Sequence, residues 1–210
     1  MALPPWKSLS VSLIMTTDKI KQNKLIKDMG AVFTPVFYIF SIVAVASAVI
    51  VCGFEMTAII TAVFLVLLAA CAAADLNRGI VPDLVPVLIS LAAVIKIMTG
   101  VIDVPSLISH ISGAVVLSLP MLLVALVIKS GFGGGDIKMI AAAGLFLGLD
   151  KTLIAGLIAF FISGIYGIYI LFTRKRSARE KVKFAPYLAL GCAFSELFGT
   201  VLIELLKTGI

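Results

Sequence analysis

Long uninterrupted apolar runs constrain this chain more than any other feature of its sequence. The runs come near the ~20 residues with which an α-helix crosses a membrane, and they cover residues 32–51, 56–74, 84–98, 107–128, 137–149, 153–172 and 184–206. Hydrophobic residues make up 61% of the chain, whereas a soluble domain is about half apolar. Long continuous runs also exclude a β-barrel, which shows short alternating strands. The sequence therefore predicts an all-α polytopic membrane protein with about seven transmembrane helices.

The basic residues are distributed unevenly around these runs. With the N-terminus in the cytosol, only Lys96, Lys151 and Lys207 of the 17 Lys and Arg residues fall toward the outside. Positive charge collects on the cytosolic side of membrane proteins, so we predict a cytosolic N-terminus in a multi-pass protein of the cytoplasmic membrane. Residues 174–183 are rich in Lys and Arg and are expected to attract anionic lipid headgroups.

The chain divides into two parts by composition. Residues 1–30 contain one short apolar patch that no small-residue cleavage signal follows, so no cleavable signal peptide is expected. We interpret residues 1–30 as a cytosolic or interfacial arm. Residues 31–210 form the predicted transmembrane domain, with a core over about 56–210.

The three cysteines give no sign of a metal site. Cys52, Cys71 and Cys192 lie inside apolar runs and form no Cys-x-x-Cys pair, which argues against zinc. We interpret them as small packing residues. Neither a metal nor a cofactor is predicted.

Two aspartates stand at the ends of apolar runs, on the predicted cytosolic face. Asp75 closes the second run, and Asp136 follows a glycine-rich hinge that includes Gly133, Gly134 and Gly135. A carboxylate is costly in a membrane segment and marks a functional site by default. Small residues beside both aspartates would let their helices approach closely. We therefore expect the two carboxyl groups to meet.

Two adjacent carboxyl groups share one proton, because both cannot ionise cheaply. One then activates a water as general base, and the other protonates the leaving amine. Since Asp136 opens a helix and Asp75 closes one, the helix dipoles favour Asp136 as the ionised partner. The structural alternatives are a helix N-cap for Asp136 and a headgroup-level position for Asp75. The pair favours an aspartyl protease that works at the membrane face.

Five other polar residues in or near the apolar runs are each assigned an expected role. Asp83 is expected to cap the third span, and Lys138 is expected to point away from the carboxyl pair toward lipid phosphate. Lys96 is expected to snorkel outward. His110 is interpreted as a hydrogen-bonded packing residue far from the acids. Glu196 is costly inside the last span and is expected to line a water cavity.

Three segments of the chain resemble the type IV prepilin peptidase family, the GxGD membrane aspartyl proteases. Residues 75–83 (DLNRGIVPD) and 131–138 (GFGGGDIK) are similar to its two catalytic segments, and residues 184–191 (FAPYLALG) to the start of its last helix. The resemblance implies that Asp75 and Asp136 are the catalytic pair. The candidates for binding substrate or shaping the loops are Gly133, Gly134, Gly135, Asp83, Lys138, Pro186 and Glu196.

The resemblance also implies a reaction and partners. An aspartic-type endopeptidase would remove a short basic leader from type IV prepilins or pseudopilins at the cytosolic face. The expected partners are these precursors and a bilayer with anionic headgroups, and no nucleic acid is expected. Residues 31–210 would form the peptidase domain. The N-methyltransferase activity that many members add with paired cysteines is not expected for this chain.

Two alternatives stay open at this point. A small ion- or proton-coupled transporter or channel would use Asp75, Asp136 and Glu196 as a path, although no internal repeat is evident. The presenilin-like branch of the GxGD proteases is a second enzyme alternative. In that branch a tyrosine usually precedes the first aspartate, whereas Ala74 precedes Asp75 here, which weakens this alternative.

Overall fold

The fold is given by a computed structural model, which describes residues 56–101, 104–128, 132–173 and 183–208 together with Ile42 and Ala46. Every regular element in these ranges is a helix. Apart from Ile42 and Ala46, the predicted N-terminal arm and the first predicted span lie outside the described residues. The helices are α1 (Met56–Arg78), α2 (Leu84–Lys96), α3 (Val104–Val116), α4 (Ser118–Val127), α5 (Gly134–Leu147), α6 (Leu149–Thr173) and α7 (Ala185–Thr208), and a π-helical turn, Ile97–Val101, continues α2.

Several of these helices are long and apolar enough to cross a membrane. Among the described residues, four stretches meet this condition, namely Met56–Asn77, Leu107–Val127, Leu149–Ile170 and Ala185–Thr208, and the apolar stretch Leu84–Thr99 is shorter. They confirm the all-α polytopic membrane fold. The total of seven spans and the side of the N-terminus stay predictions. At 14 residues, α5 is about 21 Å long, which is less than the ~30 Å thickness of a hydrocarbon core.

The fourth predicted span is divided into α3 and α4 at Leu117. Proline lacks a backbone N–H, and its ring collides with the carbonyl four residues earlier. For Pro120 that carbonyl belongs to Val116, where α3 ends. Hydropathy alone predicts one helix over residues 107–128, because the proline does not interrupt the apolar run.

A single glycine separates α5 from α6. Gly148 has φ +81°, a left-handed conformation that favours glycine after a helix C-terminus. Its carbonyl accepts a hydrogen bond from Thr152 Oγ1 at 2.6 Å, so α6 begins immediately. The two helices therefore form a tight hairpin, in which α6 starts earlier than the predicted residue 153.

Small residues allow the central helices to pack closely. A Cβ atom built on Gly113 of α3 would lie 2.6 Å from the carbonyl oxygen of Gly144 in α5. Phe64 of α1 and Phe146 of α5 stack with their ring centroids 4.0 Å apart. The buried core thus lies around α5, which packs mainly against α2 and α3.

Contacts between α1 and α7 define two levels along the bundle. At the first level, the Ala185 amide donates a hydrogen bond to the Asp75 carboxyl group. At the second, Thr61 Oγ1 donates to Glu196 Oε1 at 3.3 Å. The two helices are therefore antiparallel, and at ~1.5 Å per residue the levels are about 17 Å apart along α7. We call the first the aspartate end and the second the ion-pair level.

Candidate active site

Asp75 and Asp136 are brought together at the aspartate end. Asp75 lies in the last turn of α1 and Asp136 in the first turn of α5. Their residues are only 6% and 9% exposed, and the Asp75 carboxyl group acts electrostatically on Asp136. Both also act on Cys71, which is buried one helical turn before Asp75. The arrangement is a pair of neighbouring acids in a largely enclosed site.

The glycine turn, residues 133–135, positions Asp136. Gly133 has extended backbone angles before α5, and its amide donates a hydrogen bond to the Asp136 carboxyl group. A Cβ atom on Gly133 would lie 3.1 Å from Asp136 Oδ2, and one on Gly135 would lie 2.8 Å from Val81 Cβ. A Cβ on Gly134 would meet nothing within 4 Å. Gly135 is therefore required for the close approach to Val81, Gly133 lies tightly against the Asp136 carboxyl group, and Gly134 faces open space.

Three phenylalanines anchor the glycine turn to the rest of the bundle. The Phe132 ring lies 5.4 Å from that of Phe184, which in turn lies 5.3 Å from that of Phe160 in α6. Edge-on and tilted aromatic contacts of this kind are favourable. Phe132 stood out in the sequence only as part of the glycine-rich segment, and its two partners are remote in sequence.

The end of α1 and the start of α7 surround Asp75. Gly79, with φ +67°, closes α1 by donating its amide to the Asp75 carbonyl at 2.8 Å. The Lys183 ammonium donates to the Leu76 carbonyl at 2.5 Å and acts electrostatically on Asp75. Asp75 Oδ2 is buried and accepts no hydrogen bond from the described residues. Sequence reasoning missed Lys183 because it grouped this residue with the lipid-facing basic loop.

Pro186 occupies the first turn of α7, where it is buried. Proline suits this position because its missing N–H would have no intrahelical acceptor there. It lies next to Ala185, whose amide reaches Asp75. The candidate Pro186 therefore lies beside the site, and its role in shaping the site stays a prediction.

The structure contradicts the expected capping role of Asp83 and gives Lys138 a partner that was not predicted. Asp83 stands at the N-cap position of α2, but its side chain makes no capping hydrogen bond. Its Oδ1 instead accepts from Lys138 Nζ at 2.7 Å. Lys138 thus bonds an acid, not lipid phosphate as expected, because the Val81–Gly135 contact brings the two loops side by side. The pair lies on the exposed rim of the aspartate end.

Glu196 lies at the ion-pair level and not beside the aspartates. Its side chain is 6% exposed and is bonded by Lys96 at 3.3 Å and by Lys151 at 3.0 Å. Lys96 was expected to snorkel outward, but it points inward and its Nζ lies 4.1 Å from the centre of the Phe146 ring. A buried carboxylate requires such partners, so Glu196 belongs to an ion-pair cluster, and the water cavity beside it stays a prediction.

His110 has the expected structural role. Its Nδ1 lies 2.9 Å from the carbonyl oxygen of Leu145, and the side chain is buried between α3 and α5. This confirms the interpretation as a hydrogen-bonded packing residue. Within the described ranges, no cluster of three or more His, Cys, Asp or Glu side chains is arranged to hold a metal ion.

The sequence profile of the type IV leader peptidase family matches residues 62–168, about half of the chain. The matched segment includes Asp75, the glycine turn and Asp136. The chain belongs to the type IV leader peptidase family.

Individual members of this family are similar over different lengths. A prepilin leader peptidase/N-methyltransferase of Bacillus subtilis is 27% identical over 159 residues, which cover 76% of this chain and 63% of that relative. Enzymes with the same name from Aeromonas salmonicida (strain A449) and Xanthomonas campestris are 34% and 33% identical over 71 and 76 residues. These matches cover 34% and 36% of this chain, and 24% and 26% of those relatives. The chain therefore spans less than two thirds of their length. No solved structure matches the chain significantly.

Proposed function

We propose that this chain is a membrane aspartyl endopeptidase that removes the leader peptide of type IV prepilins or pseudopilins at the cytosolic face. The observation that carries the proposal is that Asp75 and Asp136, two buried acids from different helices, are close enough to interact electrostatically inside the segment that matches the family. The names of the relatives supply the class of substrate.

The chemistry follows from the proximity of the two carboxyl groups. One proton is shared between Asp75 and Asp136, because two like charges at short range cannot both persist. The ionised member removes a proton from water, and the resulting hydroxide attacks the peptide carbonyl carbon. The protonated member donates to the leaving nitrogen. No metal is needed for these steps.

The transporter alternative receives no support from the position of Glu196. An ion path would require Glu196 to continue the route begun by the aspartates. It is instead bonded by Lys96 and Lys151, about 17 Å along α7 from the aspartate end. We therefore do not retain a second function.

The proposal is tested by incubating the purified protein, in lipid nanodiscs, with a reporter that joins a prepilin leader to its hydrophobic helix. We expect a single cut at the end of the leader, and no cut by the Asp75→Asn or Asp136→Asn variant. The Glu204→Gln variant, which removes an exposed acid of α7, is the control and should cut normally. Cleavage by either Asn variant at the wild-type rate would refute the proposal.

The processed N-terminus tests one further expectation. The relatives carry N-methyltransferase in their names, whereas we predict a peptidase step alone for this chain. The mass of the new N-terminus, measured with a methyl donor supplied, distinguishes an unmodified product from a methylated one. A methylated product would contradict that prediction and leave the peptidase proposal intact.

A further inference from the structure

Lys183, which was expected to attract lipid headgroups, contributes a positive charge to the aspartate end. It lies just before α7, its side chain is half-buried, and its Nζ donates to the Leu76 carbonyl at 2.5 Å. Leu76 is the residue after Asp75, so the ammonium group lies beside the end of α1. Lys183 acts electrostatically on the Asp75 carboxyl group.

The surroundings of the two acids differ. Asp75 faces the Lys183 cation and the Ala185 amide, together with Cys71 of its own helix and Asp136 of α5. Asp136 faces the Gly133 amide and the Asp75 carboxyl group. The nearby cation Lys138, on the helix of Asp136, is bonded to Asp83 on the rim.

This asymmetry reverses what the helix dipoles of α1 and α5 alone predict. Asp75 closes α1, where the dipole disfavours a negative charge. It also faces the N-terminus of α7 through the Ala185 amide, and a helix N-terminus favours an anion. The Lys183 cation, held beside the next residue of the chain, adds to this preference because a nearby positive charge favours an ionised carboxyl group.

We propose that Lys183, together with the Ala185 amide, keeps Asp75 as the ionised member of the pair and leaves the shared proton on Asp136. Lys183 is then a positioning residue that acts through Asp75. The inference rests on the proposed peptidase function and assigns the two acids their roles in it.

The assignment gives a balanced reaction. Asp75 takes a proton from water while the water oxygen forms a bond to the peptide carbonyl carbon. Asp136 then gives its proton to the leaving nitrogen as the C–N bond breaks. Asp75 ends protonated and Asp136 ionised, and one proton transfer between them restores the resting pair.

The test compares the Lys183→Gln and Lys183→Arg variants with the wild type across the pH range, with the reporter and nanodiscs described above. Gln keeps an N–H donor for the Leu76 carbonyl but removes the charge, whereas Arg keeps both. At low pH both carboxyl groups are protonated, and no base is left. Without the cation, Asp75 is protonated more easily, so the acidic limb of kcat/KM for Lys183→Gln should move to higher pH by about one unit or more.

The expected loss for Lys183→Gln is about tenfold at a pH on the acidic limb of the wild type, and the loss should recover as the pH rises. Lys183→Arg should keep the wild-type limb. If the acidic limb of kcat/KM for Lys183→Gln stayed at the wild-type pH, the inference would be overturned, even if the rate or the thermal stability fell. A lysine that only capped the Leu76 carbonyl would change the rate without moving this limb. Failure of the wild type to cut would instead refute the proposed function.

Discussion

In the proposed mechanism, Asp75 and Asp136 are acids whose burial is costly for each alone but which act together as a pair. Both are buried at the aspartate end, where one carboxylate raises the cost of ionising the other. The backbone amides of Ala185 and Gly133 and the Lys183 cation offset part of that cost. The two acids therefore differ in the groups that stabilise their ionised forms.

At the residue scale, the glycine turn gives a matched pair of substitutions. Gly135→Ala should lower kcat/KM about tenfold or more, because its Cβ would lie 2.8 Å from Val81 Cβ and an ångström-scale displacement of Asp136 is costly in catalysis. Gly134→Ala should stay within about twofold, since its Cβ meets nothing within 4 Å. Initial rates of reporter cleavage measure both. Equal losses in the two variants would contradict this account of the turn.

The catalytic candidates could be predicted from sequence, whereas their partners could not. Asp75 and Asp136 stand out because acids rarely end apolar runs beside glycines without a function. The contact of Lys183 with Leu76 and that of Lys138 with Asp83 join residues far apart in the chain. Which acid a lysine reaches depends on how the helices pack. Local sequence therefore suggested lipid phosphate for Lys138.

At the scale of elements, the ion-pair level ties α1, α2, α6 and α7 together through one carboxylate. Thr61, Lys96 and Lys151 all donate to Glu196. Removing one partner of a buried ion pair leaves the others without compensation, which costs more than the pair itself contributes. Glu196 therefore has a structural role in our account, far from the acids that react.

A substitution at Glu196 tests that role. Glu196→Ala should lower the free energy of unfolding by about 3 kcal/mol, the lower end of the range for a broken buried pair because both lysines are partly exposed. Glu204→Ala, on the same helix but exposed, should change the free energy of unfolding by less than about 0.5 kcal/mol. Denaturation of the detergent-solubilised protein provides the comparison. Equal stability of the two variants would show that the cluster does not hold the helices together.

Element boundaries were predicted less well than the elements themselves. Hydropathy located each described helix, because membrane burial requires apolar residues. It did not locate the break before Pro120, which depends on the missing N–H of proline. It also did not locate the single-residue link at Gly148, which depends on a left-handed backbone conformation. Both features control where helices stop without changing how apolar the sequence is.

At the scale of the whole molecule, the aspartate end is not level with the ends of all helices. Phe160 lies beside Phe184 at the aspartate end, whereas α6 continues to Thr173. At ~1.5 Å per residue, about 20 Å of apolar helix extends beyond the two acids. Because this extension is apolar, we expect the acids to lie below the membrane surface, in reach of water from one side.

Labelling of single cysteines tests which side that is. In a background with the native cysteines replaced by alanine, the Gly134→Cys variant should react with a membrane-impermeant maleimide from the cytosolic side only. The Leu206→Cys variant, near the exposed far end of α7, should react from the opposite side. Sealed right-side-out and inverted vesicles separate the two exposures. The reverse pattern would contradict the predicted orientation, which rests on the distribution of Lys and Arg.

The central claim is that Asp75 and Asp136 react as one unit, and the kcat/KM of reporter cleavage by their Asn variants tests it most directly. Each single substitution should lower kcat/KM by about a thousandfold or more, and the double variant should lose no more than the worse single one, because residues that act together are not additive. Thermal transitions close to that of the wild type would serve as the control for folding. Losses that multiply in the double variant, or a single variant that keeps a tenth of the wild-type rate, would contradict the shared-proton pair.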